Sequence, residues 1–348
     1  MIDWSLAERI GGAIAGQAES AGWVSDGAVA DATKRAGAEL VEYTGLEPAG
    51  ELPAGESIAR AEWVRVNLRG LRESTALLEE GLERDLELPG PFGELARGAA
   101  GRVIGAQAGG ILGYASKRVL GQYEIALIGH WRAPRLLFVA PNINAAGHEL
   151  GGEGELLDWI ALHEVTHALQ FGATPWLRDH LGGLVERLIT SVDPRSAATR
   201  VVAAARSALT TDPRKVIGEI REVGPIGAFL GDEQAALLGR LQGAMSAIEG
   251  YAEYVMDEAG ANAGLDVPRL REAMERRRRE RSPLETLLAR VLGLELKLRQ
   301  YRDGRRFADA VAAQGGIATL NLLFSEPTAL PGREELGDPD GWLRRVGA

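Results

Sequence analysis

The stretch WIALHEVTHALQFG, Trp159 to Gly172, carries two of the five histidines in the chain, with a glutamate beside the first. Residues four apart on an α-helix differ by about 40° around the axis and about 6 Å along it. His163 and His167 therefore leave one face of a helix together and can converge on one metal ion. Glu164 points about 100° away, near that site without occupying a ligand position. Two neutral imidazoles suit Zn²⁺, and the carboxylate beside them suits proton transfer from a water activated by the ion. Zinc brings the pKa of such a water from about 9 in the aqueous ion to about 7. The flanking residues, Ile160 to Leu162, Val165, Thr166, Ala168 and Leu169, are all uncharged. The helix is therefore expected to be buried, its polar residues needing partners that a metal would supply.

A catalytic zinc takes three protein ligands and keeps one position open. An extended motif with Gly at 170 and His at 173 is not present, since the chain has Gln170 and Ala173. His180 is expected on the next helix, at the surface or behind the ligands, and His130 and His148 in loops. The stretch AIEGYAEYVMDEAG is a better source. Glu249 lies on a long helical pattern with Leu241, Met245, Ala252 and Met256 on or near its face, and Glu253 follows one turn later. Glu249 is the candidate third ligand. Glu253 is the candidate acceptor for the outer N–H of a ligating histidine, fixing its tautomer. Both could instead be solvated helix residues. Glu249 lies 82 residues beyond His167, so helix geometry does not derive the pairing.

The elements that must hold these residues read as mostly helical. Ser25 is placed to cap a helix from Asp26, and apolar residues recur at helical spacing from Ile58 to Leu86. The Gly/Ala-rich run VIGAQAGGILGYAS, Val103 to Ser116, is too short to span a bilayer and reads as a closely packed buried helix. QYEIALIG and RLLFVAP carry the β-branched and aromatic residues of strands. RLLFVAP fits either an edge that a substrate peptide pairs with or a core strand. NINAAGHELGGEGE reads as a loop. Helices are expected over 176–190, 196–209, 233–259, 268–281 and 283–302, followed by a Pro/Gly-rich tail that wraps the surface. The pattern is a mainly α fold of the α+β class, with a small sheet beside the central helix. A helical region over 1–120 precedes a core over 121–348, the alternative being one continuous domain.

Composition narrows the class. A net charge of −10 argues against a general nucleic-acid binder. The chain has no cysteine, so a metal must rest on His, Asp or Glu. The first residues, MIDWSLAERIGGAIAG, are a poor signal peptide. A cytoplasmic protein without a membrane or nucleic-acid partner is expected; the oligomeric state stays open. The basic run ERRRRERS, Glu275 to Ser282, reads as a solvated helix face in an acidic chain.

H-E-x-x-H followed by a distant E-G-x-A-E-Y resembles the glutamate zincins. More of the chain is similar to the zincin-like metallopeptidase type 2 family, in SKRVLGQYEIAL, LLFVAPNI, LHEVTHALQFGATPWLRDHL, IEGYAEYVMD and LKLRQYRDGRRFADAV. Members are often described as associated with biosynthesis of a deazaflavin coenzyme, for which these residues form no site. The resemblance implies a zincin-like core and a metallopeptidase acting on a peptide or small amide. It also implies His163, His167 and Glu249 as zinc ligands and Glu164 as the general base. The same donor set suits other divalent ions, iron among them. A donor to the developing oxyanion is also required. Tyr301, beside Arg302, Arg305 and Arg306, is the candidate, the alternative being a helix-end tyrosine bonded to backbone. Two rival readings stay open. One is a hydrolase of a small amide or ester. The other is a binding or assembly protein with a structural zinc closed by Glu253, Asp257 or His180.

Overall fold

The computed structural model describes residues 2–16, 22–85, 91–129, 131–150, 153–191, 231–279 and 294–347. Their contacts divide the chain into two units, one comprising Met1–Pro175 with Ala252–Glu280 and the other Trp176–Tyr251 with Arg281–Ala348. The boundary drawn at 120/121 from sequence falls inside the first unit. There a strand from the N-terminal region shares a sheet with strands from beyond that point. The expected helix over 196–209 lies outside the described residues, as do His130 and the start of the helix expected from residue 283.

In the first unit, α1 (Trp4–Ala15), α2 (Asp26–Thr44), α3 (Arg60–Asp85) and α4 (Pro91–Ala115) surround a three-stranded sheet. Ser25 caps α2 as its sequence indicates, accepting the Ala28 N–H at 3.2 Å. The sheet has the order β1 (Gly55–Ile58), β3 (Arg135–Val139), β2 (Gly121–Glu124), with β1 parallel and β2 antiparallel to β3. Leu136 to Val139 are wholly buried because their strand is paired on both sides. RLLFVAP is thus a core strand, and the edge-strand reading is overturned. Arg135 reaches across to Glu56 with two hydrogen bonds, of 2.9 and 2.6 Å.

α5 (Ala140–Leu150) follows β3 without a loop. Its asparagines suggested a loop, but they serve long-range contacts. Asn142 donates to the carbonyls of Ser116 and Val119, and Asn144 accepts the Val24 N–H. His148 is therefore helical. α6 (Glu153–Ala173) packs along α2. The C-terminal third of α8 (Asp232–Asn262) and α9 (Val267–Arg279) complete the unit.

The Gly/Ala-rich α4 is buried on one face only, for Val103 and Ile104 are 57 % and 46 % exposed. Its glycines form a backbone seam with α1. A Cβ at Gly109 would collide with the Ala7 carbonyl, and one at Gly113 would stand 2.8 Å from the Gly11 carbonyl oxygen. The residues that made the run look buried are thus those of one stripe.

The second unit holds most of α7 (Pro175–Thr190), the first part of α8, α10 (Leu294–Leu320) and α11 (Pro339–Val346), with three 3₁₀ turns between the last two. α10 bends at Gly315 and Gly316. By length and composition alone, Arg302–Phe324 could cross a membrane; here Phe307, Ala308 and Val311 are wholly buried in the fold. The tail does more than wrap the surface. Trp342 is completely buried, edge-on to Phe307, with its indole N–H on the Ala329 carbonyl at 2.7 Å.

The α1–α4 seam yields a paired prediction. Gly109→Ala should lower unfolding stability by roughly 1–3 kcal/mol, because main chain has to move to make room. Its neighbour Gly110 meets nothing within 4 Å. Gly110→Ala should leave stability unchanged or raise it by up to about 1 kcal/mol through helix propensity. Urea unfolding of both variants checks the difference; equal effects would remove the seam.

Candidate metal centre

The central helix α6 carries His163, Glu164 and His167 within an apolar sleeve. Ala161, Leu162, Val165, Ala168 and Leu169 are all at most 3 % exposed, and Glu164 is 7 % exposed. The imidazole Nε2 atoms of His163 and His167 lie 3.3 Å apart, with the rings perpendicular. Two nitrogens bound at 2.0–2.1 Å to a tetrahedral ion are separated by about 3.3–3.4 Å. The pair is therefore spaced so that one ion could be held by both nitrogens.

His167 is held by a residue not singled out in the sequence. Its Nδ1 lies 2.9 Å from Oε1 of Gln170, which is wholly buried one turn further along α6. With the amide oxygen as acceptor, Nδ1 carries the proton and Nε2 presents its lone pair. The signal was present as a lone amide in an otherwise apolar helical run.

Glu249 stands on α8, three residues before the stretch Ala252–Asn262 that belongs to the first unit. Ala252, Val255 and Ala259 are fully buried, and Gly260 faces Leu162 of α6. One ligand atom each from His163, His167 and Glu249 lie within 4.8 Å of one another, so the three could hold a metal ion. Gly250, next to Glu249, is required by packing. A Cβ there would fall on the Gly304 carbonyl of α10, and one at Gly304 on the Ser246 carbonyl. The two helix backbones thus touch beside the carboxylate.

Glu164 is clasped by the edge of the sheet. Its Oε2 accepts the Tyr123 backbone N–H at 2.8 Å. A Cβ at Gly121 would stand 2.7 Å from its Oε1, so glycine is what lets β2 lie against the carboxylate. Burial pushes the Tyr123 phenol up to about 12, and its ring packs on Phe171.

The remaining candidates have the following surroundings. Glu253 lies 3.5 Å from Nη1 of Arg271, whose Nη2 also donates to the Glu253 carbonyl, while its Nε meets Asp257. His180 belongs to the second unit, edge-on to Trp176, where burial, then Arg187 and Arg240, hold its imidazole below the usual range. Among the described residues no fourth side chain joins the ligand group. The Tyr251 hydroxyl lies 2.8 Å from the Asn321 side-chain oxygen, and Tyr254 hydrogen-bonds Tyr43. Tyr301 lies on α10, with its side chain outside the described residues.

Comparison with known proteins agrees with this picture. The sequence profile of a family described as zincin-like metallopeptidase matches residues 2–343. The fold is similar to a crystal structure, from Chloroflexus aurantiacus, of a candidate hydrolase with a novel fold. That match has 27 % identity and a TM-score of 0.70, covering 100 % of this chain and 99 % of the other. Among curated proteins, none matches.

Gln170 gives a direct test of the geometry. Gln170→Leu should weaken divalent-metal affinity about 10- to 100-fold by releasing the His167 tautomer. Competition against a chromophoric chelator reads this. Affinity unchanged in a folded variant would remove the role given to Gln170.

Proposed function

Because the chain belongs to the zincin-like metallopeptidase family, we propose that it is a zinc-dependent hydrolase of amide bonds, most directly a peptidase. The observation that carries this reading is the convergence of His163, His167 and Glu249, with Glu164 beside them. A zinc ion held by those three would supply a Lewis acid that polarises the substrate carbonyl and makes water more acidic. Glu164 takes the proton of the attacking water and returns it to the leaving amine. The Tyr123 N–H steadies that carboxylate, and the edge of β2 keeps it from turning away. Gln170 holds His167 in one tautomer through both halves of the reaction.

The absence of a fourth ligand among the described residues favours this reading over a closed structural zinc. Glu253 and Asp257, proposed to close such a site, both face Arg271. The net charge of −10 fits a cytoplasmic enzyme without a nucleic-acid partner, and we assign it a peptide or small amide as substrate and no membrane partner.

Metal content and turnover test the proposal together. Wild type should carry close to one zinc per chain by elemental analysis. Glu249→Ala should lose it, and Glu164→Gln should keep it while hydrolysis of a peptide panel falls about 10²- to 10⁴-fold. Full zinc in Glu249→Ala, or undiminished hydrolysis in Glu164→Gln, would overturn the assignment. Cleavage of small amides or esters with all peptides left intact would move the substrate class.

A further inference from the structure

The basic run ERRRRERS is not simply a solvated face. Arg277, near the end of α9, is half-buried and donates through Nη1 to the Asn142 backbone carbonyl at 3.3 Å. Asn142 is wholly buried and acts as a hub. Its Oδ1 accepts from Nε of Arg60 at 2.7 Å, and its Nδ2 donates to the carbonyls of Ser116 and Val119, which bracket Arg118. Arg118 is half-buried too, its guanidinium 4.0 Å from the centre of the Tyr114 ring. Two guanidinium groups, from α3 and α9, thus meet on one buried residue, with Arg118 on the turn after α4 beside it.

No carboxylate comes within ion-pair distance of Arg60 or Arg277 among the described residues. Glu149, exposed on α5, is the acid whose field reaches Arg277. Burial first, then Arg60 and Arg118, work against the charge on Arg277. Like charges held together out of water are costly, and a guanidinium fork matches an oxyanion with two parallel hydrogen bonds. α3 starts at Arg60 and α5 at Ala140, just beyond Ile58 and Val139, which pair in the sheet, so both helices bring their positive ends to that edge.

We infer that Arg60 and Arg277 form a receptor for an oxyanion group, carboxylate or phosphate, of a small ligand. The receptor stands independently of the metal centre yet close to it. Val119 is bonded to Asn142, and Gly121, which abuts Glu164, follows two residues later. Two extended residues span about 7 Å.

Calorimetric titration of the zinc-loaded protein with inorganic phosphate and with N-acetylglycine, against chloride at equal ionic strength, tests this. Saturable binding in the millimolar range or tighter is expected for at least one oxyanion, weakened about tenfold in Arg60→Gln and in Arg277→Gln. Tighter phosphate binding identifies a phosphate ligand; equal or tighter N-acetylglycine binding identifies a carboxylate-bearing one. Glu149→Gln, an exposed change, should tighten binding severalfold, which keeps the test open if either arginine variant fails to fold. The proposal is overturned by chloride reproducing the signal or by binding that persists unchanged in the arginine variants, as phosphate on the metal would. It is equally overturned by no gain in Glu149→Gln. None of these readouts depends on turnover, so failure of the peptidase reading is seen separately.

Discussion

An apolar helix that buries two imidazoles, a carboxylate and an amide must find each of them a partner inside the protein. That constraint organises everything around α6. Gln170 answers one imidazole, the Glu249 turn of α8 answers the histidine pair, and the edge of β2 answers Glu164. The sheet is small because its task is small. Three short strands suffice to place one backbone N–H and one glycine against a carboxylate.

Close backbone contact is the second device the fold relies on. Glycines seat α4 on α1 and α8 on α10, in each case with carbonyl oxygens where a side chain would otherwise stand. Such seams fix helix separation without the adjustable layer that interdigitated side chains provide. At Gly250 the seam lies beside Glu249, so helix separation and the position of that carboxylate are set together.

Much of this was legible in the chain itself. The four-residue spacing of His163 and His167 needs only helix periodicity, and the apolar residues around it announced burial. Glu249 could be nominated from an acid on an apolar face, although spacing could not join it to the histidines. The family similarity made that link. What stayed hidden depended on long-range pairing. β1 was obscured by its Pro/Gly surroundings, and α5 by asparagines whose bonding partners lie more than twenty residues away. The partner of the His167 imidazole, Gln170, lies one turn along the same helix and was not marked by any charge. Nothing in the local sequence pattern of Glu253 marks its ion pair with Arg271.

The hydrogen bond between Tyr123 and Glu164 has a bearing on how this chain behaves among its own copies. Val139 donates to the Leu120 carbonyl, so alternation along β2 turns the Tyr123 N–H outward from the sheet. An outward donor on an edge strand is a template for pairing with another chain. Here a buried carboxylate on the neighbouring helix already occupies it. The residue positioned for proton transfer thus also guards an open sheet margin against aggregation.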